Sequence, residues 1–293
     1  MKKTLTLLSL LLLTACGTTD RTTPETVAVS VAPQAWFVDQ ISGGTVQTQI
    51  MVPPGSNPEL YDPTPQDIAR LESARVYIYL GTLPYESKWI DVLTANGPTP
   101  VNLADSVPND LIHTHTDAEE QHAHPHGDPH YWSSYRGGMA IAEVTYQALC
   151  TAFPDRRSTF EQNYTRLIHK IETARETARQ YFEAQGVSVA FVVYHPSLTQ
   201  YSEEMGLTQL VIEQDGKSPT PRQLATLIDT ARDHHARAVL VQQEYDRRSA
   251  LTVAQELGIP SVQINPNNPD WMAEMAHLLD ALRTPTEAAT KQP

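Results

Sequence analysis

The chain of 293 residues has little cysteine, little basic charge and none of several motifs that mark common enzyme classes. Two cysteines do not allow a framework of several disulfides. The 21 Lys and Arg against 34 Asp and Glu give a formal net charge of −13, which argues against nucleic acid as a partner because phosphate binding needs a basic face. HExxH, GxSxG and a glycine-rich phosphate loop are absent, which argues against the enzymes that depend on them.

Long hydrophobic runs are also absent, since the apolar stretch 4–13 near the N-terminus is too short to span a bilayer comfortably. Two lysines precede it, and Leu13-Thr14-Ala15-Cys16 follows, as in a bacterial lipoprotein signal. We expect a signal peptide at 1–15, lipid on Cys16, and an exported protein anchored to a bacterial membrane, facing the periplasm or the cell exterior. A plain secretory peptide with a chance cysteine is the alternative. Cys150 then lacks a partner and is expected to be a buried free thiol.

Short apolar runs of strand length alternate with helical patterns on both sides of one long polar helix. That helix runs from Ser158 to about Glu183, with Ser158 or Thr159 as its cap and Gly186 after its end. The alternation indicates βαβ units and parallel sheets. The predicted strands are 27–31, 45–52, 76–80, 187–193, 238–241 and 261–264, and the other predicted helices are 35–41, 66–73, 220–234, 248–257 and 269–283.

The predicted fold is of the α/β class, with two lobes that each contain a parallel sheet with flanking helices and are joined by one long rigid helix. The predicted segments are a signal peptide (1–15), a lipidated tether (16–26), an N-terminal lobe (27–157) with a His-rich loop (113–127), a linking helix (158–185), a C-terminal lobe (186–284) and a disordered tail (285–293).

Six of the eleven histidines fall between His113 and His130. Neutral imidazole binds zinc, copper, nickel and cobalt well. Acidic residues, Pro125 and Gly127 interrupt the run, so it is predicted to be a solvated loop that gathers metal rather than a packed element. A charge-buffering surface loop is the alternative. The expected auxiliary metal ligands of the loop are His113, His115, His122, His124 and His126.

Two candidate ligands lie in the first half of the chain. Glu59 lies in a proline-rich and therefore rigid segment, whereas the nearby Asp62 is better explained as a helix cap. His130 ends the histidine run and is flanked by proline, tyrosine and tryptophan, which imply a packed and oriented side chain.

Further candidates follow predicted strands in the second half, where ligands of open α/β sheets bind beyond the carboxyl ends of the strands. His195 follows the strand 187–193 and is expected to point into a cleft between the lobes. Glu244 and Asn265 each follow a later strand and compete for a fourth position.

Five segments together resemble the solute-binding proteins of bacterial ABC importers for zinc and manganese, over nearly the whole mature chain. The resemblance implies two lobes joined by a long helix, and a metal ion held between the lobes by four side chains. The segments are PPGSNPELYDPTPQD (53–67), DPHYW (128–132), YHPSL (194–198), EQDGKSPTPRQL (213–224) and QQEYDRRSALTVAQELG (242–258).

The chain departs from this family pattern at two of the four ligand positions. Many zinc members have histidine where this chain has Glu59, while His130 and His195 match the second and third ligands. The usual fourth ligand is an Asp in a D-P-L segment, which here reads Asn265-Pro266-Asn267. Because two histidines and two carboxylates balance a divalent cation, we favour Glu244 over Asn265 as the fourth ligand.

Two histidines with carboxylates favour Zn²⁺, whereas Mn²⁺ prefers more oxygen ligands. We therefore predict a monomeric binding protein, not an enzyme, that captures Zn²⁺ between its lobes and delivers it to an ABC permease. Its affinity is expected to fall as the pH drops through about 6.5, since the histidines must be unprotonated to bind metal.

Three alternatives remain at this stage. The first is an importer component for manganese or another divalent metal, and the second is a lipid-anchored zinc sink or chaperone. The third is a metalloenzyme with three protein ligands and a water, for which Glu203, Glu204 or Asp246 would be the general base. The missing enzyme motifs argue against the third.

Overall fold

The computed structural model describes residues 25–95, 97–112, 128–213, 216–245 and 247–283. The predicted signal peptide, the lipidation site Cys16, the His-rich loop and the tail 285–293 lie outside the described residues. The strands are β1 (Thr26–Val29), β2 (Gln47–Ile50), β3 (Val76–Tyr79), β4 (Thr99–Asn102), β5 (Ala190–Val193), β6 (Thr208–Val211), β7 (Val239–Gln242) and β8 (Ser261–Ile264). The helices are α1 (Ala32–Ser42), α2 (Pro65–Leu71), α3 (Pro84–Thr94), α4 (Asn109–Ile112), α5 (Tyr135–Ala152), α6 (Arg157–Glu183), α7 (Thr199–Met205), α8 (Pro221–Asp233), α9 (Arg247–Leu257) and α10 (Trp271–Ala281).

The strands form two four-stranded sheets with the same topology. The N-terminal lobe has the strand order β2-β1-β3-β4, and the C-terminal lobe has the order β6-β5-β7-β8. Every adjacent pair within a sheet is parallel. The expectation of two lobes with parallel sheets, joined by one long helix, is confirmed.

Alternating side chains of the central strands pack on opposite faces of each sheet, as the period of two in a strand requires. In β5, Phe191 and Val193 join a large hydrophobic cluster that also contains the core of the N-terminal lobe. Ala190 and Val192 instead belong to a second cluster on the other face, which packs against α8 and α9. Both faces of β5 are therefore covered, which explains why all four of its residues are apolar and buried.

The long helix α6 begins at Arg157, immediately after a 3-10 turn at Pro154–Arg156. The prediction that Ser158 or Thr159 caps it is wrong, because Arg156 is the N-cap residue and no side chain caps this end. The preceding turn, rather than a hydroxyl, leads the chain into the helix. Five apolar side chains along α6 are buried and hold it against the core: Phe160, Leu167, Ile171, Ala178 and Phe182.

The proline-rich segment before α2 ends in a capping box formed by Thr64 and Asp67. The Thr64 hydroxyl accepts from the Asp67 amide, while the Asp67 carboxylate accepts from the Thr64 amide at 2.9 Å. The prediction that Asp62 caps this helix is therefore wrong. The Asp62 carboxylate instead accepts from Lys88 and from the indole of Trp89, both on α3.

The buried thiol of Cys150 on α5 agrees with the expectation for this residue. Among the helices within the described ranges, we find none with the length and hydropathy of a bilayer-spanning segment.

Candidate metal centre

Three predicted ligands meet between the two lobes. Glu59 lies in the segment after β2, His130 lies just before α5, and His195 lies two residues beyond β5. One ligand atom from each of these side chains lies within 4.8 Å of the other two. The structure thus brings together residues from both lobes, with Glu59 and His195 separated by 136 positions in sequence.

The carboxylate of Glu59 lies between the two imidazoles. Its Oε1 atom is 3.1 Å from Nε2 of His195 and 3.3 Å from Nε2 of His130. The two rings are 5.0 Å apart and steeply inclined, so both Nε2 atoms face the same small volume. Both histidines are buried, while Glu59 is partly accessible. Two neutral nitrogens and a carboxylate oxygen at these separations are suited to a divalent cation.

Each imidazole is held at its other nitrogen by a carboxylate. Nδ1 of His130 is 3.0 Å from Asp128, whose carboxylate also accepts from the His130 amide. Nδ1 of His195 is 2.8 Å from Glu213, which follows β6 and is only 4% exposed. A carboxylate at Nδ1 fixes the tautomer that presents Nε2 to a metal. Asp128 and Glu213 therefore orient the two candidate histidine ligands.

Electrostatics around His195 favour its protonated form when no metal is bound. Burial lowers the pKa of this imidazole, but hydrogen bonds and charge from Glu213 and Glu59 outweigh it and raise the pKa to about 9. A metal ion must therefore displace a proton from His195 at neutral pH. If His195 is a ligand, metal affinity is accordingly expected to start falling at a higher pH than the value of about 6.5 that applies to an unperturbed histidine.

Polar side chains of the C-terminal lobe also fix the backbone at His195. Gln242, at the end of β7, accepts from the His195 amide at 3.0 Å and donates to its carbonyl at 3.1 Å. The ring of Tyr245 stacks on the imidazole, with the centroids 4.9 Å apart and the planes 15° apart. Burial, followed by the charges of Glu59 and Glu213, raises the pKa of Tyr245 well above its usual value.

Each of the two candidates for a fourth ligand accepts a hydrogen bond from Asn267. The Glu244 carboxylate accepts a hydrogen bond from the Asn267 amide group at 3.3 Å. The side-chain Oδ1 of Asn265 accepts from the backbone N–H of Asn267, and the backbone N–H of Asn265 donates to the carboxylate of Glu274. Glu244 is not part of the cluster formed by Glu59, His130 and His195 in the described structure.

The general bases considered for a metalloenzyme do not join this cluster either, as far as the described residues go. Glu204 pairs with Arg175 of α6 and accepts from the first backbone amides of α5. Its carboxylate therefore has a structural role that joins three helices. Asp246 lies outside the described residues.

The residues that orient the two histidines are not among those predicted from the sequence. Asp128 carries a sequence signal, since it lies two residues before His130 in the DPHYW segment. Glu213 carries none, because it is placed by β6, which the sequence pattern does not predict. Gln242 and Tyr245 lie in the segment QQEYD, in which the sequence points only to Glu244 as a ligand.

Most of the chain matches a known protein family. Residues 27–285 match the model of ZnuA, described as zinc-uptake complex component A, periplasmic. The crystal structure of ZnuA superposes with a TM-score of 0.77 at 25% identity, over 87% of this chain and 96% of that one. A zinc-bound ZnuA deletion mutant superposes with a TM-score of 0.76, also at 25% identity, over 89% of this chain and 99% of that one. A manganese-bound periplasmic metal-binding protein from Candidatus Liberibacter asiaticus shares the fold at 18% identity, with a TM-score of 0.71, over 88% of this chain and all of that one.

Two curated relatives are named for different metals. The iron ABC transporter substrate-binding lipoprotein MtsA of Streptococcus pyogenes serotype M1 is 26% identical, over 86% of this chain and 84% of its own length. The zinc-binding lipoprotein AdcA of Streptococcus pneumoniae serotype 4 is 24% identical over 82% of this chain. The chain spans about half the length of AdcA, since the match covers 49% of that protein. From the family match, the chain belongs to the ZnuA family of metal-binding components of ABC importers, which are binding proteins and not enzymes.

Proposed function

We propose that this protein captures Zn²⁺ between its two lobes outside the cytoplasm and delivers it to an ABC permease. The observation that carries the proposal is the cluster of Glu59, His130 and His195, with both imidazoles oriented by buried carboxylates. Such a cluster of ligand atoms is suited to a small cation. The proposed signal peptide 1–15 and the lipid on Cys16 would keep the protein at the membrane that contains the permease.

The choice of zinc over manganese rests on the donor atoms. Two imidazole nitrogens form half of a four-ligand shell, and nitrogen suits Zn²⁺ better than Mn²⁺, which prefers oxygen. The carboxylates of Asp128 and Glu213 also hold both imidazoles in the orientation that presents Nε2 to zinc. Family membership is equally compatible with other divalent metals, as the name of MtsA illustrates.

Glu244 is the proposed fourth ligand. A second carboxylate would neutralise a divalent ion held by two neutral histidines and Glu59, which lowers the cost of burying the charge. Asn265 is less suited, since its Oδ1 atom already accepts from the Asn267 backbone and an amide oxygen is a weak zinc ligand. Rotation of the Glu244 side chain away from Asn267 would be needed, at the cost of one hydrogen bond.

A competition titration tests the proposal. The metal-free protein is titrated with Zn²⁺ and with Mn²⁺ in the presence of a chromogenic chelator, and the two dissociation constants are compared. We expect one tight site per chain and a preference for zinc of at least about 100-fold, which corresponds to about 2.7 kcal/mol. Equal affinities, or a preference for manganese, would contradict the assignment of zinc.

The fourth ligand is tested in the same assay. Glu244→Gln is expected to weaken zinc binding at least tenfold, whereas Asn265→Ala should change it less than threefold. The reverse order would assign the position to Asn265.

The alternative of a zinc sink or chaperone uses the same site, so binding measurements do not distinguish it from importer service. Uptake of radioactive zinc by cells with and without the gene distinguishes them. Importer service predicts that uptake from nanomolar zinc is lost with the gene, while a sink predicts that uptake persists and only storage falls.

A further inference from the structure

One side chain of the C-terminal lobe, Tyr245, reaches the loop of the N-terminal lobe that carries Glu59. Its hydroxyl accepts a hydrogen bond from Nδ2 of Asn57 at 3.1 Å, across 188 positions of sequence. The other end of the same Asn57 amide group is also used, since Oδ1 accepts from the backbone amide of Glu59 at 2.9 Å. Asn57 therefore connects the backbone of one candidate ligand to a tyrosine of the opposite lobe.

The ring of Tyr245 makes the second half of this connection. It stacks on the imidazole of His195 at 4.9 Å and, on its own lobe, near Tyr194 at 5.4 Å. Tyr194 in turn has its hydroxyl 3.4 Å from Ser218, also within the C-terminal lobe. Tyr245 thus touches a ligand of its own lobe with its ring and the ligand loop of the other lobe with its hydroxyl.

We propose that Tyr245 and Asn57 form a latch between the lobes that slows release of the bound metal ion. An opening that moves the Glu59 loop away from the C-terminal lobe must also break the hydrogen bond between Asn57 and Tyr245. The latch is made of neutral groups and does not use the ligand atoms, so it stabilises the closed site without competing for the metal. Its effect belongs mainly to the dissociation rate, as for most contacts that are lost only when a complex opens.

This inference rests on the proposed function, because it concerns release from the same site. The first experiment loads the full chain with zinc and mixes it rapidly with excess chelator. Tyr245→Phe removes the hydroxyl and keeps the stacked ring, and we expect zinc release to accelerate about two- to tenfold, the range for loss of one hydrogen bond. Tyr194→Phe is the matched control, since it removes a hydroxyl from the neighbouring ring that makes no contact across the lobes among its described bonds. It should release zinc at the wild-type rate.

A double-mutant cycle distinguishes the latch from a general loosening of the site. Asn57→Ala is expected to accelerate release at least as much as Tyr245→Phe, because it also removes the acceptor for the Glu59 amide. In the Asn57→Ala background, Tyr245→Phe should have no further effect. Fully multiplicative effects of the two substitutions would overturn the latch.

A readout without metal completes the test. In the metal-free protein, Tyr245→Phe should speed hydrogen exchange of the backbone amide of Glu59, and Tyr194→Phe should not. If the wild type retains no zinc at all, the proposed function fails. If the wild type retains zinc but Tyr245→Phe changes neither release nor exchange, only the latch fails.

Discussion

The two lobes have the same strand order, but different types of residue follow their equivalent strands. Beyond β1 and β5 the chain continues along the same path, since Val52 donates to the Ser30 carbonyl in one lobe as Glu213 donates to the Tyr194 carbonyl in the other. Two residues beyond β5 lies His195, and its counterpart beyond β1 is Val31. Glu213 likewise corresponds to Val52. The C-terminal lobe therefore has a candidate ligand and its orienting carboxylate where the N-terminal lobe has two buried valines.

The N-terminal lobe supplies its ligands from connecting segments instead. Glu59 lies in the proline-rich loop after β2, and His130 precedes α5, far along the chain from any strand of its sheet. Strand ends are fixed by the ladder of backbone hydrogen bonds, whereas a loop ligand depends on its own turn chemistry and on packing. The same topology thus places candidate ligands at a strand end in one lobe and in connecting segments in the other, so the fold alone does not determine which residues could bind metal.

Polar groups do exist at the strand ends of the N-terminal lobe, but they are used for structure. The buried carboxylate of Glu86 accepts from the amides of Leu80, Gly81 and Leu83 and from the hydroxyl of Ser30. This network of hydrogen bonds joins the segment after β1 to the segment after β3. The equivalent region of the C-terminal lobe instead holds His195 through Gln242.

The largest expected effect on zinc affinity comes from substitution of His195, which the other lobe replaces with Val31. His195→Ala should weaken zinc binding by more than the roughly 10- to 100-fold that loss of an orienting partner costs, because a ligand itself is removed. Val31→Ala, at the equivalent position of the other lobe, should lower the free energy of unfolding by about 1–3 kcal/mol and leave affinity nearly unchanged.

A chelator competition assay and urea unfolding measure the two quantities separately. The exposed His169 of α6 provides a further control, since His169→Ala should change neither. A large loss of affinity in Val31→Ala would show that the valine position contributes to the site.

A smaller expected effect concerns pH and follows from the raised pKa of His195. Since the pKa of His195 is raised to about 9, its proton must leave when zinc binds. Zinc affinity should fall about tenfold for each unit from pH 8.5 to pH 7. The free energy of unfolding of the metal-free protein also depends on the protonation of His195. The charged imidazole contributes its full stabilisation below about pH 6.5, and this contribution is lost as the pH rises through about 9.

Zinc titrations at several pH values measure the change in affinity, and NMR of the His195 ring measures its pKa. Glu213→Gln removes a charge that raises the pKa of His195, so the zinc affinity of this variant should depend less steeply on pH above pH 7.5. Because His195 also loses its orienting partner, the affinity itself should be about 10- to 100-fold lower. Affinity that is independent of pH between 7 and 8.5 in the wild type would contradict the protonation of His195.

The smallest expected effect on metal binding comes from Glu86, where stability alone should respond. Glu86→Gln places an amide group against backbone donors, so the free energy of unfolding should fall by about 1–3 kcal/mol while zinc affinity is retained. Burial raises the pKa of this carboxyl above its usual 4.5, although hydrogen bonds from Ser30 and from the amides of Leu83, Leu80 and Gly81 oppose the shift. The folded protein therefore binds this proton more tightly than the unfolded chain, and stability should fall as the pH rises from 4.5 through the raised pKa.

Urea unfolding between pH 4 and 7 checks the contribution, because the difference between wild type and Glu86→Gln should depend on pH. A tenfold loss of zinc affinity in Glu86→Gln would show that the network also positions the metal ligands.

The sequence predicts six of the eight described strands, including the half-polar β2 and β8, and misses β4 and β6. The runs of β3 and β5 identify buried parallel strands, although β5 begins three residues later than its apolar stretch suggests. Periodicity does not reveal the edge strands β4 (TPVN) or β6 (TQLV), because neither alternates polar and apolar residues, and β4 also contains a proline. Their place is decided by pairing with β3 and β5, which is a tertiary effect.

The candidate site is predictable in its residue types but not in its assembly. Histidine and carboxylate in rigid or strand-end contexts point to Glu59, His130 and His195. That their ligand atoms converge depends on the relative placement of two lobes, which no local pattern encodes. Glu213 shows the limit most clearly, because its role requires both an unpredicted strand and a partner from β5.

The placement of α10 has a consequence for the order in which the chain can fold. Trp271 of this helix packs against Trp36 and Phe37 of α1 and donates to the carbonyl of Trp132, so a residue near the end of the described chain fills the core of the first lobe. Until α10 has been synthesised, that lobe exposes the apolar surface that Trp271 later covers. The N-terminal lobe therefore cannot finish folding as an independent unit during synthesis, and the two lobes reach their final packing together.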